Sequence, residues 1–116
     1  RSLEEAVASG RADADTARDL AARFTMELGP HFAIEEELLL PALRAAGEAV
    51  LVEQTEVDHA FLREQASAAS LGRTAGLTSF AERLREHVRF EERALFPRCE
   101  ELLSNDALDE VARRRP

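Results

Sequence analysis

Two segments of the chain carry the same arrangement of metal-binding side chains. One reads His31-Phe-Ala-Ile-Glu35-Glu36 and the other His87-Val-Arg-Phe-Glu91-Glu92. Each continues to a leucine and then a proline at matching offsets, Pro41 and Pro97. Residues four apart on a helix stack on one face, with about 5–6 Å between them. A histidine and a glutamate so placed can bind one metal ion together, or the carboxylate can bridge two. The remaining histidine, His59, lies between the two segments. Three imidazoles and two carboxylates make a mixed nitrogen and oxygen shell, which suits iron, manganese or zinc and suits calcium poorly. Carboxylate bridging favours two ions about 3.5–4 Å apart.

Taken singly, each residue has a plainer reading. A lone core histidine is common, and a lone His-x-x-x-Glu pair serves on many helix surfaces as a solvated ion pair. What separates the two readings is the face on which the pairs lie, and that depends on the elements around them. Alanine, leucine, glutamate and arginine dominate the chain, with no tryptophan or tyrosine, a composition that favours helix nearly throughout. Arg1 to Ser9 forms a first helical stretch ended by Gly10. A polar connection over Arg11 to Asp15 follows, with Asp13 or Asp15 as the next N-cap. From Thr16 to near Gly47 the apolar residues Leu20, Phe24, Leu28, Leu38, Leu39 and Ala42 recur at three- and four-residue spacing, and Leu20, Phe24, Leu28, His31, Glu35, Leu38 and Ala42 form one stripe. A third helix, Glu48 to Leu71, carries Val52, Thr55, His59, Leu62 and Ala66 on one face. After a loop at Gly72 to Gly76, Ser79 and Glu82 make a capping box for a fourth helix, with Phe80, Leu84, His87, Val88, Glu91 and Leu95 inward. Ser104-Asn105-Asp106 caps a short closing helix, Ala107 to Arg113.

Short connections between long helices imply antiparallel neighbours. The expected fold is all-α: an up-down four-helix bundle forming a single domain over residues 1–116, with a truncated first helix and a short C-terminal helix. Both His–Glu pairs and His59 then face the core. Burying an ionised carboxylate without a partner costs several kcal/mol, and a dicationic metal removes that cost for both glutamates at once. Glu36 and Glu92 fall one position off the stripe, as rim or orienting groups. Glu56 and Asp58 flank His59, where each either orients an imidazole or faces solvent. Pro30, directly before His31, kinks the second helix, either aiming His31 or following bundle curvature. Pro41 and Pro97 close the apolar segments. Cys99 reads as a buried, inert thiol.

The net charge of −8 over 116 residues argues against sequence-independent nucleic-acid binding, which needs a basic surface. Arg113-Arg114-Arg115 is too short a basic run to change that. No run of about 18 apolar residues reads as a membrane span, and no charged-then-apolar leader precedes the domain. A single cysteine fits a reducing compartment, so a cytoplasmic location is the default expectation.

The segments HFAIEEELLLP, EVDHAFLRE and LREHVRFEERALFP together resemble the hemerythrin-like (HHE cation-binding) domains, over most of the stretch from Ala17 to Leu103. The resemblance implies a four-helix bundle around an oxo- or hydroxo-bridged di-iron centre. It makes His31, His59 and His87 iron ligands, with Glu35 and Glu91 bridging the two irons. The chain departs from the family pattern in lacking a histidine between Arg1 and Gly10; the position 28 before His31 is Leu3. The first stretch would also span only about 13 Å, against roughly 45 Å for the second helix. Either the upstream part of a normal di-iron domain is missing, or this is a natural variant with a vacant or mononuclear site. A stripe left uncovered there could be closed by a second copy in a homodimer.

Three functions fit these residues. The first, which the resemblance implies, is a module that binds or senses oxygen, nitric oxide or iron without turnover, its pocket walled by Phe32, Phe61 and Phe90. The second is a di-iron oxidase, a peroxide-handling enzyme or an iron-repair factor. Ferritin-like di-iron enzymes use paired Glu-x-x-His motifs, and only Glu56-Val-Asp-His59 matches that pattern. The third is a metal-free structural bundle. The residues favour a binding or sensing domain over an enzyme.

Overall fold

Asp13 opens the first helix of the structure, a computed structural model that describes residues 13–114. Its carboxylate accepts hydrogen bonds from the Thr16 backbone N–H at 2.9 Å and from Thr16 Oγ1 at 3.0 Å, which satisfies a donor the helix start would leave free. Helix α1 runs over residues 14–45, α2 over Ala49–Ser70, α3 over residues 77–102 and α4 over Asn105–Arg114. No strand occurs among the described residues. The expected first stretch, Arg1 to Gly10, lies outside the described residues, as does Leu3.

Turns of few residues join the long helices. Gly47 follows α1 with φ of 80° and Gly72 follows α2 with φ of 79°, a conformation that glycine adopts without a Cβ penalty. At the first turn the Glu48 N–H reaches back to the Leu43 carbonyl at 2.9 Å, closing the helix end. The helix order is therefore antiparallel. Arg44 on α1 pairs with Glu56 on α2, and Arg63 further along α2 pairs with the earlier Glu36. Helix α3 begins at Leu77 with Gly76 as its cap and no capping side chain. Ser79 and Glu82 thus lie inside the helix and form no capping box, because the helix starts three residues earlier than their pattern implies. At α4, Ser104 Oγ accepts from the Ala107 N–H at 3.1 Å, and the helix begins at Asn105.

Pro41 and Pro97 do not end their segments. Helix α1 passes through π-helical turns at Phe24–Leu28 and Glu35–Leu39, and α3 through one at Glu91–Leu95, before continuing as α-helix. Each π-turn inserts one residue and shifts the buried face. Leu39 and Leu43 are buried where an uninterrupted helix would place Leu38 and Ala42, which are half-buried. Val88, expected inward, is 42% exposed.

Two apolar clusters result. One joins the first half of α1 to the end of α2 and the start of α3, around Leu20, Phe24, Phe32, Leu62 and Phe80. The other joins the opposite ends, around Leu39, Leu40, Leu43, Val52, Leu95 and Cys99, with Val111 of α4 packed against it. An ion pair from Arg114 to Glu37 ties α4 to α1. Between the two clusters lies a layer of buried polar side chains: Glu35, Thr55, Asp58, His59, His87 and Glu91. No helix among the described residues is long and apolar enough to cross a membrane.

Candidate metal centre

The polar layer gathers four of the five residues of the predicted ligand set, Glu35, His59, His87 and Glu91. One ligand atom each from Glu35, His59, His87 and Glu91 can be chosen so that all lie within 4.8 Å of one another. With metal–ligand bonds of about 2.0–2.2 Å, two ligands opposite each other on one ion stand about 4.0–4.4 Å apart. The cluster therefore closes around a cation with a small contraction. His31 joins it from the edge: Nε2 lies 2.8 Å from Glu35 Oε2 and 3.7 Å from Glu91 Oε2. Its side chain is 28% exposed, so this histidine borders the site and is not enclosed by the core as the stripe implied.

The orientation of the imidazoles is set from behind. His59 Nδ1 meets Glu36 Oε2 at 2.7 Å, and Arg63 grips the same carboxylate through two hydrogen bonds of 2.6 and 3.0 Å. His87 Nδ1 meets Asp58 Oδ2 at 2.8 Å, while Asp58 Oδ1 accepts from Gln54 at 3.0 Å and Arg83 at 3.3 Å. Carboxylates held by such donors act only as acceptors, so each imidazole holds a proton on Nδ1 and turns Nε2 inward. His59 Nε2 lies 2.9 Å from Glu35 Oε1, and His87 Nε2 lies 3.2 Å from Glu91 Oε2. Metal-ligating histidines are commonly fixed in this way by a carboxylate on the far nitrogen.

Inside the ring of ligands the hydrogen bonding is incomplete. Glu35 Oε2, His87 Nε2 and Glu91 Oε2 are buried without a hydrogen-bond partner. Imidazole nitrogens stand close, His31 Nε2 at 2.8 Å from Glu35 Oε2 and His87 Nε2 at 3.2 Å from Glu91 Oε2, but their geometry is not that of a hydrogen bond. Such orphaned atoms are rare in folded proteins and call for a specific cause. A cation fits that cause and this donor set.

Protonation follows the same crowding of carboxylates. Glu35 and then Glu91 raise His31 to a pKa of about 10, against the opposing effect of burial. Burial pushes His87 toward the neutral form, but Glu91 and Asp58 outweigh it and its pKa is raised. Burial works against ionised Glu91 too, yet the His31 and His87 imidazoles hold its carboxyl well below the usual range. Burial, and after it Glu35, lifts the Cys99 thiol to about 11.

Phe32 packs flat on His59, with ring centroids 3.9 Å apart and planes 10° apart, and meets His87 edge-on at 5.6 Å. It walls the site as expected. Phe61 and Phe90 do not line the grooves beside His31. Phe61 packs under the Arg83 guanidinium, 4.3 Å from its ring centroid, and Phe90 joins the second apolar cluster. His31 edges two grooves. One, of about 640 Å³, runs between α1 and α3 past Phe32, Leu84 and Glu91. The other, of about 340 Å³, lies beneath α4 among Ile34, Leu39, Phe96 and Val111.

Of the flanking acids, Glu36 and Asp58 orient imidazoles, while Glu56 pairs with Arg44 at the surface and Glu92 is exposed. Gln54, Arg63 and Arg83 did not stand out from sequence reasoning. The usable signal is spacing: Arg63 stands four residues after His59 and Arg83 four before His87, within reach of whatever binds each imidazole.

A family model for the hemerythrin HHE cation-binding domain matches residues 1–99. Comparison with curated proteins and with solved structures gives no match. With the bundle and its buried His/Glu cluster, compatible with a metal cation, the match over most of the chain has one meaning: this chain belongs to the hemerythrin HHE cation-binding family.

Proposed function

We propose that the chain is a non-haem di-iron binding module that binds or senses a small ligand such as oxygen or nitric oxide. The observation that carries this reading is the set of buried, unpartnered atoms: Glu35 Oε2, His87 Nε2 and Glu91 Oε2. Leaving one such atom unsatisfied costs about 1–3 kcal/mol, and a shared cation offsets all three. A metal-free structural bundle gives no reason to bury them. His31, His59 and His87 would be the nitrogen ligands, with Glu35 and Glu91 bridging; manganese or zinc would fit the same donors.

Bound there, iron supplies an open coordination position and one-electron redox chemistry. The residues of the chain do the rest. Glu36 and Asp58 keep the His59 and His87 protons on Nδ1, which leaves each Nε2 lone pair free to ligate. Phe32, stacked on His59, excludes water from one side. His31, at the edge of both grooves, marks the side from which a small ligand enters. Binding or sensing is favoured over oxidase, peroxide-handling or iron-repair chemistry. The acids behind the imidazoles, Glu36 and Asp58, are engaged by Arg63, Arg83 and Gln54, an arrangement that holds ligands in place.

Glu35→Ala and Glu91→Ala test the assignment. Each should reduce iron from about two per chain, the dinuclear expectation, while circular dichroism shows helix content retained. Unchanged iron stoichiometry in both variants would refute the bridging roles.

A further inference from the structure

Three prolines lie inside the described helices, and each sits two residues beyond the end of a π-turn. Pro30 follows Phe24–Leu28, Pro41 follows Glu35–Leu39, and Pro97 follows Glu91–Leu95. Helix α2 contains no proline, and it is α-helical from Ala49 to Ser70. The link is local and physical. Proline has no N–H to donate, and in an α-helix its ring collides with the carbonyl four residues back. Here the residue before each proline gives its N–H to the carbonyl five back: Gly29 to Phe24, Leu40 to Glu35, and Phe96 to Glu91. The extra residue opens the turn ahead of the ring, so the helix continues where it would otherwise break.

Two of these turns begin on Glu35 and Glu91. Their effect on the bundle can be read from phase. Eight residues of straight α-helix leave the last side chain about 80° away from the first, since 3.6 residues make a turn. One inserted residue brings it back to within about 20° of that direction. Glu35, Leu39 and Leu43 are accordingly all buried, and so are Glu91, Leu95 and Cys99. Without the insertion, Leu43 would stand about 80° around α1 from Glu35, and the end of the helix would turn its buried face away from the direction of the carboxylate.

We propose that Pro41 and Pro97 are positioning residues, which impose the π-turns that hold the Glu35 and Glu91 carboxylates in the cluster. They account for the proline shared by both halves of the sequence repeat, which no ligand role explains. The effect on metal affinity rests on the metal reading above; the effect on backbone register does not.

The test uses Pro41→Ala and Pro97→Ala, made separately, with helix content checked by circular dichroism. In the metal-free protein, NMR scalar couplings across hydrogen bonds report which carbonyl receives the Leu40 and Phe96 N–H. The expected result is a move from Glu35 to Glu36 in the first variant and from Glu91 to Glu92 in the second. The ¹⁵N shift of His59 Nε2 should change in Pro41→Ala as Glu35 leaves it, and that of His87 Nε2 in Pro97→Ala. Zinc affinity, measured by chelator competition, should fall by about 10–100-fold, the usual loss when a group supporting a metal ligand is removed. Couplings that stay on Glu35 and Glu91 would overturn the proposal. So would a changed register with unchanged imidazole shifts and unchanged zinc affinity. If the unsubstituted protein takes up no zinc, the metal reading falls, and the couplings and imidazole shifts still decide the role of the prolines.

Discussion

Asp58→Asn separates a residue that orients a ligand from one that merely fills space. Asp58 is 2% exposed and its two oxygens face three donors: His87 Nδ1 at 2.8 Å, Gln54 Nε2 at 3.0 Å and Arg83 at 3.3 Å. Asparagine has nearly the same shape but only one acceptor oxygen, so at least one donor loses its partner. If the amide nitrogen turns toward His87, the imidazole must move its proton to Nε2, where it opposes a cation. Loss of a supporting carboxylate of this kind costs about 10–100-fold in metal affinity, equivalent to about 1.4–2.7 kcal/mol. The metal-free protein should also lose about 1.5–3 kcal/mol, the range for a hydrogen bond to a charged group. Zinc competition against a chelator reads the first quantity and denaturant unfolding in chelator reads the second. Metal affinity within twofold of the unsubstituted protein, in a variant that folds, would refute the orienting role of Asp58.

Three further outcomes follow from the same geometry. His31 is held protonated by Glu35 and Glu91, with a folded-state value of about 10 against an ordinary 6.5. A raised value adds stability that is complete below the unfolded value and is lost as pH rises through the folded one. Metal-free stability should therefore decline between about pH 6.5 and 10, and zinc affinity should climb by up to about tenfold per pH unit as that proton is displaced; flat profiles in both would contradict the arrangement. Leu39, 4% exposed, should cost about 2–5 kcal/mol on replacement by alanine. The half-buried Leu38 should cost clearly less, and equal losses by chemical denaturation would argue against the π-turn phase. Cys99, buried with its thiol raised to about 11, should resist alkylation at pH 8 in the folded protein and react on unfolding, as followed by mass spectrometry.

The bundle is legible in the sequence because its signals are local. Apolar spacing, Asp13 as a cap, and Gly47 and Gly72 as stops place the long helices to within a few residues. The duplicated His-x-x-x-Glu segments bring Glu35, His59, His87 and Glu91 together because each lies on a face that also carries leucine or phenylalanine. Periodicity fails where the helix stops being regular. Leu38 and Ala42 match a 3.6-residue repeat, but the turn imposed before Pro41 advances the buried face to Leu39 and Leu43. The prolines held that information, and a helix-ending role concealed it. The partners of the imidazoles were harder to see. Asp58 reaches His87 from 29 residues away, a contact created by the packing of α2 against α3. His31, on the same stripe as Glu35, is left partly exposed because the groove between α1 and α3 opens beside it.

The most direct test of the metal centre is elemental analysis of the chain after reconstitution with ferrous iron under reducing conditions and removal of loosely bound metal. About two irons per chain are expected, as a carboxylate-bridged pair requires, with uptake abolished in the double variant His59→Ala, His87→Ala. A folded protein that retains no iron above that variant would contradict the di-iron reading.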